Sequence, residues 1–144
     1  MRAIARLSSL LSVSLLVGAC SFAPPPQVNA PLEGTTWEVV EVRGVQPPAE
    51  SQPEPFILIR SGIGELTGNS GCNAFNGPYR ATGNELIMGP FASTRMACPL
   101  NTVSDFETVF LDALEDTRFY VVRLNELFLY DGPDSHVRLR RSDR

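Results

Sequence analysis

The chain has 144 residues, 43% of them hydrophobic, and a formal net charge of −4. That length fits one domain with one modest core. The acidic balance, with no lysine anywhere, argues against nucleic acid and against an anionic bilayer as electrostatic partners.

The N-terminus reads as an address. "MRAIARLSSLLSVSLLVGAC" carries Arg2 and Arg6, then an apolar run from Leu7 to Ala19. A basic start and a run too short to span a bilayer are the parts of an export signal. The run ends in "LVGAC". Small residues directly before a cysteine resemble the lipobox of bacterial lipoproteins. Residues 1–19 are then a lipoprotein signal peptide, and Cys20 is the first mature residue. Its thiol would carry diacylglycerol and its new amine a further acyl chain such as palmitate, each buried methylene adding about 0.8 kcal/mol. An ordinary secretory signal ending near a cysteine is the competing reading. Ser21 is not an inner-membrane retention aspartate, which points to the outer membrane, facing the periplasm. Residues 20–31 form a proline-rich tether, extended and semi-rigid, expected to hold the domain clear of the lipid headgroups. Loss of Arg2 and Arg6 leaves ten arginines against 16 acidic residues, a formal charge of −6.

The folded domain spans residues 32–140. "TTWEVVEVRG" (35–44) alternates and is β-branched, so it predicts a strand, with Trp37, Val39 and Glu41 on one side and Val40 and Val42 on the other. "VQPPAESQPEP" is a proline loop. "FILIR" (56–60) is a short strand, "SGIG" a turn, and "ELTG" opens another strand. "NAFNGPYRAT" is strand-like, with a break expected at Gly77–Pro78. "TGN" is a hairpin turn into the strand "NELIMG" (84–89). "VSDFETVFLDALEDT" predicts the one helix. Ser104 and Glu107 fit a capping box. Phe106, Val109, Phe110, Ala113 and Leu114 form one apolar stripe. "RFYVVRLNELFLYDGPDSHVRLRR" gives three strands, split at Leu124–Asn125 and at "DGPDS". The expected class is α+β: a curved antiparallel, partial-barrel-like sheet of about six to eight strands with one packed helix.

Chemistry is sparse. "GNSGCNAFNG" lacks the Gly-Lys-Ser/Thr of a phosphate loop and opens no helix, so its glycines and asparagines mean tight turns. A cysteine nucleophile would need a base, and the chain has one histidine, His136. A dyad of His136 with Cys72 or Cys98 has no motif behind it. Two cysteines and one histidine do not match zinc spacing. The acids Asp112, Glu115 and Asp116 read as a solvated helix face, with Arg118 offsetting their place near the helix C-terminus. No metal, cofactor or catalytic residue is expected. In an exported domain, with Cys20 lipidated, two cysteines remain, and a Cys72–Cys98 disulfide is the leading expectation. It would close a loop of about 27 residues. Two free thiols are the alternative.

"LEGTTWEVVEV", "GELTGNSGCNAFNGPY", "ELIMGPFASTRMACP" and "FETVFLDAL" occur in that order. Together they resemble the META/HslJ-like domain family of exported bacterial proteins, over residues 32–140. Gly71, Cys72 and Asn73, then Phe75, Gly77 and Tyr79, and the unit Ser93 to Cys98 carry the resemblance. It implies a compact α+β domain, often a lipoprotein or periplasmic. It also implies a link to stress tolerance and novobiocin resistance in some members, and a fold like that of secretion-pilot lipoproteins. Cys72 and Cys98 occupy the family's two cysteine positions, which supports their pairing. No catalytic residue carries over.

The leading functional expectation is a non-enzymatic envelope lipoprotein. It would be a binding or structural module linked to envelope stress or antibiotic tolerance. Its partners would be the membrane, through the lipid anchor, and another envelope protein. Asn73, Thr94 and Arg95 are the candidate binding residues, with Asn69 and Asn76 beside them. Each asparagine has a turn-holding alternative, and Arg95 could instead pair with a helix acid. A second expectation is a carrier of a lipid or hydrophobic small molecule, in a cavity between sheet and helix lined by Phe56, Ile57, Met88, Phe91, Met96, Phe128 and Leu129. A thiol enzyme is the third.

Overall fold

The computed structural model describes residues 28–143. The signal segment, Cys20 and the tether as far as Gln27 lie outside the described residues.

Among the described residues, nine strands and one helix follow in chain order: β1 (Thr36–Val42), β2 (Phe56–Arg60), β3 (Glu65–Asn69), β4 (Ala74–Thr82), β5 (Glu85–Met88), β6 (Ala92–Ser93), α1 (Asn101–Asp116), β7 (Phe119–Arg123), β8 (Glu126–Tyr130) and β9 (Ser135–Arg141). All strand pairings are antiparallel, in the order β3-β2-β1-β9-β8-β7-β5-β4-β6, and β3 also pairs with β4. That last pairing closes eight strands into a barrel. The expected partial barrel is therefore corrected to a closed one. Closure removes the unpaired edges that an open curved sheet would expose. The short β6 continues along the same edge of β4 as β5, with Phe75 opposite Ser93. The weakest seam lies between β5 and β7, where only Glu85 and Phe119 are in register. Backbone bonds from Leu86 to Arg118 and from Tyr120 to Asn84, each 2.9 Å, hold it.

Alternation fills the barrel. Ile57, Ile59, Leu66, Leu86, Leu127, Leu129 and Leu139 point inward and are fully buried, with Trp37 among them. Each such side chain contributes about 1.5–3 kcal/mol relative to exposure. In β1 the simple alternation fails. A bulge between Val39 and Glu41 shifts the register against β9. An extra residue turns the following side chains over. Val42 therefore joins Trp37 and Val39 in the core, and Glu41 faces out, 3.8 Å from Arg138. β4 also departs from expectation, because it runs unbroken through Gly77 and Pro78. A Cβ at Gly77 would lie 2.7 Å from both Phe91 Cδ1 and the Pro90 carbonyl, so only glycine lets this segment pack on the strand.

The helix plugs one end of the barrel. Val103, Phe106, Phe110, Ala113 and Leu114 are its buried stripe, with Val109 half-buried beside them, and Phe110 meets Phe75 edge-on at 5.9 Å. This helix end also carries the β1–β2, β3–β4 and β8–β9 loops. The opposite, turn end carries the β2–β3, β4–β5 and β7–β8 turns. There the N-terminal segment closes the barrel: Trp37 Nε1 donates to the Leu32 carbonyl at 3.0 Å, and Ala30 N to Leu124 O at 2.7 Å. Among the described residues, no helix is long and apolar enough to cross a membrane.

The proposed carrier lining is dispersed. Ile57, Met88 and Leu129 are packed core, Phe91 stacks edge-on against Phe75, and Met96 is exposed. Phe128 lies beneath the Arg123 guanidinium, 5.5 Å from ring centre to Cζ.

Candidate functional site

The helix starts at Asn101 with Leu100 as its N-cap, and no side chain caps it. Ser104 is therefore inside the first turns, and the expected capping box does not form. Glu107 is free to reach elsewhere, and it reaches the glycine-rich loop.

Between β3 and β4 the chain turns through Ser70–Asn73. Asn69 Oδ1 accepts from Gly71 N at 2.8 Å, and Ser70 N donates to Asn73 O at 2.9 Å. Gly71 has φ +100°, and a Cβ there would lie 2.7 Å from Ser51 Oγ. Glycine is thus required by backbone angle and by the approach of the β1–β2 loop.

Asn73 is the hub. It is 3% exposed. Its Nδ2 donates to Glu107 Oε2 at 3.0 Å and contacts Oε1 at 3.2 Å. Its Oδ1 accepts from Thr94 Oγ1 at 2.8 Å and from Met96 N at 2.9 Å. Ser70 Oγ donates to Glu107 Oε2 and accepts from Asn73 N. Thr94 Oγ1 in turn accepts from Ala74 N at 3.2 Å. One amide thus ties the turn, the segment 94–98 and the helix together. A buried amide with both ends satisfied specifies one arrangement of its neighbours.

The cysteines complete the lock. Cys72 and Cys98 are joined by a disulfide, with Cα atoms 5.7 Å apart. The Asn73 amide lies 3.6 and 3.7 Å from the two sulfurs. Glu107 completes a cluster with them, yet both sulfurs are used in the S–S bond and offer no thiolate to a metal. The dyad with His136 is not assembled. His136 sits against the C-terminal turn of the helix, its Nε2 donating to Ala113 O at 2.8 Å. Six residues separate Ala113 from Glu107, about 9 Å along the axis. Its Nδ1 is 3.3 Å from Asp131 Oδ1 but is not aligned with it as a hydrogen bond.

The candidate binding residues separate cleanly. Asn73 is structural, and Asn69 holds the turn. Thr94 has both a scaffold role and an exposed face. Arg95 is exposed, and among the described residues no helix acid or other group pairs with its guanidinium. Two acids near the helix C-terminus are engaged otherwise: Asp116 pairs with Arg43, and Glu115 Oε1 accepts from Phe91 N at 3.1 Å. Arg118 caps the helix C-terminus, donating to the Glu115 and Thr117 carbonyls at 2.8 Å. Sequence reasoning missed Ser70 and assigned Glu107 to a local cap. Only the fold brings residues 37 apart into that contact.

Fold and site together define a small, closed antiparallel barrel plugged by one helix, with a disulfide-locked loop beside the plug. The chain belongs to the META domain family, whose model matches residues 30–144. No curated protein matches it. It is similar in fold to a protein from Burkholderia xenovorans solved by NMR, at 24% identity and TM-score 0.64, over 86% of this chain and 96% of that one. A DUF4847-family protein from Bacteroides vulgatus also shares the fold, at 17% identity and TM-score 0.56, over 76% of this chain and 94% of that one.

Proposed function

We propose that the protein is a non-enzymatic, lipid-anchored module of the bacterial cell envelope, held at the outer membrane through Cys20 and facing the periplasm. Its helix end binds another envelope protein and supports tolerance of envelope stress or antibiotics. The supporting observation is Arg95: a guanidinium with no partner among the described residues, beside the 61% exposed Met96, on a segment locked by Asn73 and the disulfide. Loops on rigid scaffolds are where binding residues concentrate. A fixed arginine next to an apolar side chain is a low-entropy anchor for a protein partner. The carrier reading is weaker, since its lining residues are divided between core and surface.

The test is Arg95→Ala in cells, read as survival under novobiocin, alongside urea unfolding of the purified variant. Unchanged stability with lost protection supports the reading. Unchanged stability with full protection removes Arg95 from function. Loss of stability alone makes it a structural residue.

A further inference from the structure

The charges are unevenly distributed along the barrel axis. Asp105, Asp112, Glu115, Asp116, Asp131 and Asp134 gather at the helix end, where Arg43, Arg95 and Arg118 offset only half of them. Arg60, Arg80, Arg123, Arg140 and Arg141 fall at or near the turn end, against Glu33, Glu38, Glu65, Glu85, Glu126 and Asp143. The acidic surplus of the chain therefore lies at one end, and the turn end is close to neutral. Net charge alone had argued against an anionic bilayer for the whole molecule. The distribution confines that repulsion to the helix end.

Apolar side chains protrude from the near-neutral end. Ile63 is 58% exposed on the β2–β3 turn, and Leu124 is 45% exposed on the β7–β8 turn. The N-terminal segment leaves the barrel at the same place. Leu124 N donates to Asn29 Oδ1 at 2.7 Å, and Val28 beyond it is 82% exposed. Exposed Val45, Met96 and Leu100 occur at the helix end too, but among the acids.

We infer that the turn end of the barrel rests on a lipid surface, with Ile63 and Leu124 entering the headgroup layer and arginines around them meeting lipid phosphates. The inference builds on the reading that Cys20 is acylated. From Cys20 to Val28 an extended tether reaches about 25–30 Å at most. The end that emits this tether is thus the one nearest the headgroups, within reach of them rather than held clear, and two apolar tips on an end without the acidic surplus suit that layer. The helix end, with Arg95 and the disulfide, then points into the periplasm.

The full mature chain is reconstituted in phosphatidylethanolamine–phosphatidylglycerol vesicles containing a headgroup spin-labelled lipid. Two variants, Ile63→Trp and Met96→Trp, place reporters on exposed positions at opposite ends, with the Trp37 emission of the parent subtracted. Interfacial side chains lie about 5–10 Å into the headgroup boundary, so quenching at position 63 is expected to exceed that at position 96 by at least about twofold. A chain that floats with the vesicles but shows equal quenching, or more at 96, overturns the orientation and leaves the anchor standing. A chain that stays in solution and lacks lipid at Cys20 by mass spectrometry overturns both.

Discussion

Glu107 on the helix accepts a 3.0 Å hydrogen bond from the buried amide of Asn73, 34 residues earlier in the chain. The same amide oxygen holds Thr94 and the Met96 backbone. Removing Asn73 would therefore strand acceptor and donors together. Asn73→Ala is expected to lower unfolding free energy by about 2–4 kcal/mol in urea titration. Asn73→Asp should be at least as damaging, because it sets a carboxylate against Glu107. Glu107→Gln should cost less, since it keeps an acceptor for Ser70.

The disulfide joins positions 26 apart. Chain-entropy arithmetic assigns that loop about 3.5 kcal/mol, acting mainly on the unfolded state. Urea unfolding with and without reductant, and of the double variant Cys72→Ala/Cys98→Ala, should show a loss of about that size. Oxidised protein should yield no free thiol from either position under alkylation.

Two glycines in the strands are expected to resist even alanine. At Gly68 a Cβ would lie 2.5 Å from the Phe56 carbonyl, and at Gly77 it would lie 2.7 Å from the Pro90 carbonyl. Backbone cannot swing aside as a side chain can. Gly68→Ala and Gly77→Ala should each cost about 1–3 kcal/mol, measured by thermal or urea unfolding. Gly44→Ala is the control for space, as nothing lies within 4 Å there, although its φ of +81° leaves a smaller strain cost.

Tyr79 should titrate late. Burial, with Glu33 nearby as a hydrogen-bond partner and a negative charge, pushes its phenol up to about 12. A phenol whose pKa is raised on folding favours the neutral form in the native state. Its stabilising contribution is complete below about pH 10 and is lost as pH rises from there toward 12. Ultraviolet-monitored titration should show a late tyrosinate step that Tyr79→Phe lacks.

Much of the architecture was legible because its signals are local. β2 was read to the residue, and the three last strands with their divisions at Leu124–Asn125 and within "DGPDS" follow from alternation and turn residues, though Ser135 already belongs to β9. The helical stripe of Phe106, Phe110, Ala113 and Leu114 was visible at its spacing. The capping box failed because the motif at Ser104 and Glu107 names two residue types, whereas a partner brought by the fold decides which bond Glu107 makes. The β1 bulge was invisible for a similar reason: alternation assumes an unbroken ladder, and the ladder belongs to β9 as much as to β1.

By itself, the sequence determined the kind of chain this is. Its periodicities specify strands and one helix, its glycines permit the turns, and its cysteine count makes one bridge available. Tertiary structure alone decided that the sheet closes, since the β3–β4 and β5–β7 pairings depend on strands meeting in space. It alone gave Asn73 and Glu107 to each other, left Arg95 without a partner among the described residues, and separated the acidic end from the nearly neutral one. Those outcomes rest on contacts between distant residues, which no local pattern encodes.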